Sequence, residues 1–185
     1  MKKILVVVDM QNDFIDGALG SKEAVAIVPN VVKKIKDNEW DQIVVTQDTH
    51  YDNYMETQEG KKLPVPHCMV RTNGWGLNPH IKKALSDKTT GKYNPYYIEK
   101  ITFGSIELPA LWNGHSQKDG GTDLEFTFVG LCTDICVISN AMLMKAYYPE
   151  ARIIVDASCC AGVTPKSHKN ALEAMKMCQI EVINE

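Results

Sequence analysis

The sequence predicts an α/β fold, a three-layer α/β/α domain on an open, mostly parallel sheet of about six strands. Three observations carry this. Ile4-Leu5-Val6-Val7-Val8 is continuously apolar, as a strand covered on both faces must be and an edge strand need not be. Short β-branched and aromatic runs then alternate with segments whose apolar residues recur at helical spacing. Finally, the strand-like Leu124-Glu125-Phe126-Thr127-Phe128-Val129 passes through a tight turn, Gly130-Leu131-Cys132-Thr133-Asp134-Ile135-Cys136, into the helical stretch Val137 to Ala146.

The first strand ends at Asp9, and a polar loop containing Gly17 and Gly20 follows it. Val25, Ile27, Val28, Val31, Val32 and Ile35 supply a helical apolar face, with Pro29 marking the expected start of the regular helix. Asp41 to Gln47 reads as the second strand, with Asp48-Thr49-His50 at its C-terminal end. The chain then stays polar and proline-bearing through Pro64, Pro66 and His67 to Gly76, a long irregular segment of the kind that carries function more often than it merely connects. Asn78-Pro79 opens a short helix, Tyr96 to Lys100 is the third strand, and Ser105 to Leu111 is a second short helix. Gly114 to Gly121 reads as a polar loop before the strand from Leu124. Ala151 to Asp156 is another strand, Pro165 to Cys178 the last long helix, and Ile180 to Ile183 the final strand.

At 185 residues the chain suits a single domain over 1–185, since nothing in it reads as a linker. Its hydrophobic share of 44% and charged share of 23% are ordinary for a soluble protein, and a net charge of −3 offers no electrostatic reason to expect nucleic acid or an anionic membrane as partner. The apolar run after Met1-Lys2-Lys3 ends at the carboxylate of Asp9, too soon for a signal peptide. The expected location is cytoplasmic, so the six cysteines are expected as thiols, and their spacing is not that of a zinc ribbon.

In a parallel sheet ligands bind beyond the C-terminal strand ends, and three reactive groups are expected at that rim: Asp9, Lys100 and Cys136. Thr133 reads as an N-cap, which puts Cys136 in a first helical turn where a thiol ionises more easily. Lys100 would favour the thiolate while Asp9 carries its proton. Each also has a bland reading: Asp9 capping a turn, Lys100 as a solvated strand end, and Cys132 and Cys136 as small core residues. Asp48, His50 and His67 form a mixed nitrogen and oxygen set suited to Zn²⁺, Fe²⁺ or Mn²⁺, with Cys68 as a conceivable soft ligand or a packing residue. Loop histidines are also commonly bystanders, and His80, His115 and His168 read as surface or helix-end residues. Phe14, Trp75 and Phe103 could wall a small flat pocket. No G-x-G-x-x-G, Walker A or G-x-S-x-G occurs, which removes support for dinucleotide binding, P-loop hydrolysis and serine esterase chemistry.

Five stretches taken together resemble the isochorismatase-like cysteine hydrolases, and among them the nicotinamidases (pyrazinamidases). They are V-V-D-M-Q-N-D-F at Val7 to Phe14, T-Q-D-T-H at Thr46 to His50, P-H-C at Pro66 to Cys68, K-x-x-F-G-S at Lys100 to Ser105, and G-L-C-T-D-I-C-V at Gly130 to Val137. The resemblance implies a Rossmann-type α/β fold, a catalytic set of Asp9, Lys100 and Cys136, and an oxyanion hole from the backbone N–H groups of Cys132 and Cys136. It further implies a cis peptide at Leu131–Cys132, and one divalent metal ion, zinc first and iron or manganese next, on Asp48, His50 and His67. Phe14, Leu131 and Ile135 are the implied substrate-pocket residues. The implied activity is hydrolysis of nicotinamide to nicotinate and ammonia through a thioester, with a small amide as the only partner apart from further copies in a homo-oligomer. The chain departs from the usual nicotinamidase at Thr49, where an aromatic is usual, at Leu63-Pro64-Val65-Pro66, which lacks one, and at Ile135, where some members carry histidine or tyrosine. A carbamoyl or ureidoacrylate hydrolase with the same triad, or a non-catalytic binding domain of this fold, stays open as an alternative.

Overall fold

The computed structural model describes residues 1–37, 39–88, 94–114 and 119–185. Its strands are β1 (Lys2–Val8), β2 (Gln42–Asp48), β3 (Tyr96–Lys100), β4 (Leu124–Leu131), β5 (Arg152–Ala161) and β6 (Glu181–Ile183). They form one sheet in the order β3-β2-β1-β4-β5-β6, every pair parallel. The helices are α1 (Asn12–Ile15), α2 (Lys22–Asp37), α3 (Gln58–Lys62), α4 (Pro79–Lys88), α5 (Glu107–Ala110), α6 (Ile138–Tyr147) and α7 (Pro165–Met177). Among the described residues no helix is long and apolar enough to cross a membrane.

The continuous apolar run in β1 is explained by two cores. Ile4, Val6 and Val8 join a cluster with Phe126, Phe128, Val137, Ala141, Met144, Leu172 and Met175, which α5, α6 and α7 cover. Leu5 and Val7 join a second cluster with Val31, Ile35, Ile81, Ala84 and Leu85 from α2 and α4. Successive side chains of a strand point to opposite faces, so a central strand with helices on both sides has no polar position to spare.

Three expectations are corrected. α2 begins at Lys22, so Pro29 lies inside it and does not mark its start. An interior proline costs about 3 kcal/mol, whereas burying a residue such as Ile27 or Val28 returns about 1.5–3 kcal/mol each; both are buried, and packing wins. Val25, expected on the apolar face, is 49% exposed. β5 runs on to Ala161 because the end of β4 recruits it, pairing Gly130 with Cys160 and Leu131 with Ala161, although cysteines carry little strand signal. The loop expected from Gly114 to Gly121 falls partly outside the described residues, as does His115.

The chain order reverses between β1 and β4, with β2 and β3 on one side and β5 and β6 on the other. Such a switch point opens a crevice at the C-terminal strand ends. Gly130, next to the end of β4, lies in it with φ of +118°, and a Cβ there would meet the Val8 carbonyl oxygen at 2.1 Å. Gly130→Ala is therefore expected to cost about 2 kcal/mol or more, read as a lower urea midpoint; an unchanged midpoint would refute this close approach.

On the far side of β5, buried Asp156 is paired with Lys34 and accepts hydrogen bonds from Ser158 (2.7 Å) and Asn184 (3.0 Å). Burial raises its carboxyl pKa, but these partners outweigh burial and hold it below its ordinary value. A depressed carboxyl contributes stability above its unfolded pKa, and that contribution is lost as pH falls through the folded pKa. The stability gap between native protein and Asp156→Asn should thus be full at neutral pH and close below about pH 4, measured by urea unfolding at stepped pH.

Candidate active site

Adjacent strands bring the site together. Asp9 follows β1, Asp48 ends β2 and Lys100 ends β3, with Asp48 and Lys100 directly paired. The Leu131–Cys132 peptide after β4 is cis. Residues Thr133–Val137 then wind as a single π turn, in which the Ile135 and Val137 N–H groups both donate to the Cys132 carbonyl, at 3.1 and 3.0 Å. The residue before the turn is thus Cys132, and Thr133 is not the expected N-cap. The Thr133 hydroxyl is bonded to His168 Nδ1 at 2.8 Å instead, so His168 is a tie between α7 and this turn more than a surface residue. Asp134 adds a second tie, accepting from the Val163 N–H at 3.1 and 3.2 Å.

Lys100 Nζ lies 2.6 Å from Asp9 Oδ2 and 3.4 Å from Asp48 Oδ1, and 3.6 Å from Cys136 Sγ. All four side chains are buried. Burial alone would push Lys100 down, but the charges beside it, Asp9 first and Asp48 with it, outweigh burial and keep the amine protonated. The Cys136 thiol moves the opposite way from the expected easy ionisation. Burial pushes it well above its ordinary value, and Asp9 and Asp48 reinforce this against Lys100. One ammonium shared with two carboxylates leaves little positive potential to favour the thiolate.

Asp9 sits at φ of +47°, a left-handed conformation that costs a non-glycine residue energy and that is found mostly where function holds it. Its Oδ1 accepts from the Thr46 hydroxyl at 2.7 Å. Its Oδ2 is paired with the Lys100 ammonium at 2.6 Å. Burial raises the Asp9 carboxyl pKa despite Lys100, which suits a group that must exchange a proton.

A second cluster adjoins the first. Asp48, His50, Glu59 and His67 each offer one ligand atom, all within 4.8 Å of one another. His50 Nε2 lies 2.9 Å from Asp48 Oδ2 and His67 Nε2 lies 3.5 Å from it, while Glu59 Oε1 is 3.6 and 3.7 Å from the two imidazoles. His67 Nδ1 lies 2.8 Å from the Val65 carbonyl; a carbonyl only accepts, so Nδ1 carries a proton, and Nε2 is the nitrogen turned toward the cluster. Two carboxylates and two imidazole nitrogens converging in this way fit a divalent cation of the zinc, iron or manganese kind. Cys68 is not part of the group: its side chain is buried in the core and its N–H donates to Asp13 Oδ2 at 2.7 Å.

Several contributors carry no motif signal of their own. Glu59 lies in α3, where Gly60 permits close packing, since a Cβ there would be 2.0 Å from the Tyr54 carbonyl oxygen. Tyr54 is buried edge-on against both imidazoles. Gln11 is fully buried and clamps Asp48, donating to its carbonyl at 2.8 Å and accepting from its N–H at 2.7 Å. Gln11 and Asp13 lie in the stretch after β1 already singled out, so composition and position could have flagged them; Glu59 is visible only in three dimensions.

Of the aromatic and pocket candidates, Phe14 packs on His67, ring centroids 5.4 Å apart. Trp75 donates from Nε1 to the Thr49 hydroxyl at 2.9 Å, which gives a role to a residue that replaces an aromatic. Phe103 is 43% exposed, and Leu131 is buried in the second core cluster. Ile135 packs partly buried against the first cluster. A cavity of about 530 Å³ lies elsewhere, lined by residues including Ser158, His168, Leu172 and Asn184 and by none of the Asp9, Lys100 and Cys136 group.

The sequence profile of the Isochorismatase domain matches residues 3–185. The chain belongs to the isochorismatase family. Among its family relatives, an isochorismatase family protein of Bacillus subtilis is 30% identical over 178 residues, covering 93% of each chain. The nicotinamidase/pyrazinamidase of Mycobacterium tuberculosis is 26% identical over 190 residues, covering 98% of each. The crystal structure of nicotinamidase PncA from Bacillus subtilis superposes with a TM-score of 0.79 at 27% identity, covering all of both chains.

Removing the shared cation tests the electrostatics of this family member without reference to chemistry. Lys100→Met would strand Asp9 and Asp48 in the interior, and breaking a buried pair from one side costs about 3–5 kcal/mol. The expected result is a marked loss of unfolding free energy in urea; a loss of the size typical of an exposed lysine would contradict the arrangement.

Proposed function

We propose that this isochorismatase-family chain is a metal-containing nicotinamidase, converting nicotinamide to nicotinate and ammonia with Cys136 as nucleophile. At the coarser level it is a hydrolase acting on amides, with a small amide as substrate. The observation that carries the finer reading is the placement of Lys100 Nζ between Asp9 Oδ2 at 2.6 Å and Cys136 Sγ at 3.6 Å, beside a four-ligand cluster.

Because burial and the neighbouring carboxylates disfavour the thiolate, attack needs a base. Asp9 takes the proton on its carboxylate, which Thr46 anchors at Oδ1 and Lys100 pairs at Oδ2. Cys136 Sγ forms a bond to the carboxamide carbon, and the carbonyl oxygen becomes an oxyanion met by the N–H groups of Cys132 and Cys136. The tetrahedral centre collapses with cleavage of the C–N bond, and Asp9 returns its proton to the departing nitrogen, which leaves as ammonia. Asp9, a carboxylate again, then takes a proton from water, whose oxygen attacks the thioester; the C–S bond breaks, and the proton goes back to sulfur. Lys100 stays an ammonium throughout and keeps the two reacting groups in register. Asp48, His50, Glu59 and His67 would hold the divalent ion, which when bound supplies a positive centre that anchors the ring nitrogen of the substrate. Phe14, packed on His67, would lie against that ring.

Ammonia release from nicotinamide by the purified protein tests the substrate, with carbamoyl compounds in parallel. Cys136→Ala is expected to lose at least about a thousandfold in kcat, and an undiminished rate would exclude the thioester route. Activity on a carbamoyl compound and none on nicotinamide would reassign the substrate. For the ion, Glu59→Ala and His67→Ala should each lower the divalent metal content measured by elemental analysis after gel filtration; equal content in both variants and native protein would refute the ligand set.

A further inference from the structure

We infer that Asn140, in the first turn of α6, is a positioning residue that sets the register between Lys100 and Cys136. This rests on the reading of Cys136 as the nucleophile. Asn140 is fully buried, an uncommon place for a residue that carries four hydrogen-bonding sites. Three of its contacts are with the backbone of the two arms of the site. Its Nδ2 donates to the carbonyl of Cys136 itself at 2.8 Å and to that of Phe103 at 3.2 Å. Its Oδ1 accepts from the Ser105 N–H at 3.0 Å.

Phe103 and Ser105 belong to the irregular segment that leaves β3 directly after Lys100, whereas Cys136 belongs to the turn after β4. β3 and β4 are not neighbours in the sheet, with β2 and β1 between them, so no strand pairing fixes the distance from the end of one to the end of the other. Lys100 reaches Cys136 across that gap at 3.6 Å. The Asn140 carboxamide spans the same gap from the opposite direction through backbone groups. It also supplies the acceptor for the buried Ser105 N–H, which would lose that hydrogen bond without it. The neighbouring geometry agrees: a Cβ at Gly104 would lie 3.5 Å from Ser139 Cβ, so the segment rests directly on the start of α6. Side-chain networks of this kind hold reacting groups within the few tenths of an ångström that catalysis requires.

The test separates positioning from plain stabilisation. Asn140→Ser keeps a short hydroxyl but cannot span both arms, and Asn140→Asp keeps the acceptor for Ser105 while losing both donors. Tyr148→Phe is the control, since Tyr148 is likewise buried and donates to the Pro109 carbonyl, away from the site. All three should lower Tm. At a temperature well below every Tm, the rate of Cys136 alkylation by iodoacetamide, followed by mass spectrometry of its peptide, is expected to fall about tenfold in both Asn140 variants and to stay native in Tyr148→Phe. With nicotinamide, kcat should fall by a similar factor with KM changed less than about twofold. Native alkylation rates in whichever Asn140 variant folds would overturn the inference and leave Asn140 a stabilising residue. Because alkylation needs no substrate, a native protein inert on nicotinamide would count against the proposed activity and leave this result readable.

Discussion

One ammonium in a dry interior holds this site together. Lys100 Nζ is buried beside Asp9, Asp48 and Cys136, and each of those groups is there because another strand end delivers it. A charge taken out of water costs several kcal/mol unless it is paired, so the sheet must hold β1, β2 and β3 in register for the pair to survive. The parallel pairing of Asp48 with Lys100 and of Val8 with Thr46 does this. The same burial and the two carboxylates push the Cys136 thiol pKa up.

The backbone around this cation is held by side chains whose work is mostly invisible in sequence. Gln11 clamps both the N–H and the carbonyl of Asp48, Asp13 receives the N–H of Cys68 next to His67, and Thr46 anchors the second oxygen of Asp9. On the other side of the crevice His168 and Val163 secure the π turn through Thr133 and Asp134. Loops ordinarily have the freedom to drift; here these loop segments are tied to polar partners, of which Gln11 and Thr46 are buried. The second cluster shares with the first Asp48, whose Oδ2 faces the histidines and whose Oδ1 faces Lys100.

Much of this was legible in the sequence, because it is local or periodic. The continuous apolar run of β1 required two covered faces, and both cores are there. Carboxylate, lysine and cysteine at successive strand ends required a parallel sheet to bring them to one rim, and the topology does so. The errors are equally physical. Pro29 misplaced the start of α2 because burial of neighbouring side chains outweighed a local preference, and Thr133 misled as a cap because the chain takes a π turn there.

By itself, then, the sequence determined the layer architecture, the strand alternation and which reactive side chains stand at strand ends, since period and residue type act within a few positions along the chain. Only the tertiary structure decided what those groups experience. Glu59 joins the histidines because α3 folds back over Tyr54, and Asn140 reaches both arms because α6 starts beneath them. Whether Cys136 is a thiol or a thiolate depends on how much water is excluded and how many carboxylates surround one ammonium. Those are long-range sums over groups far apart in sequence, and no local pattern encodes them.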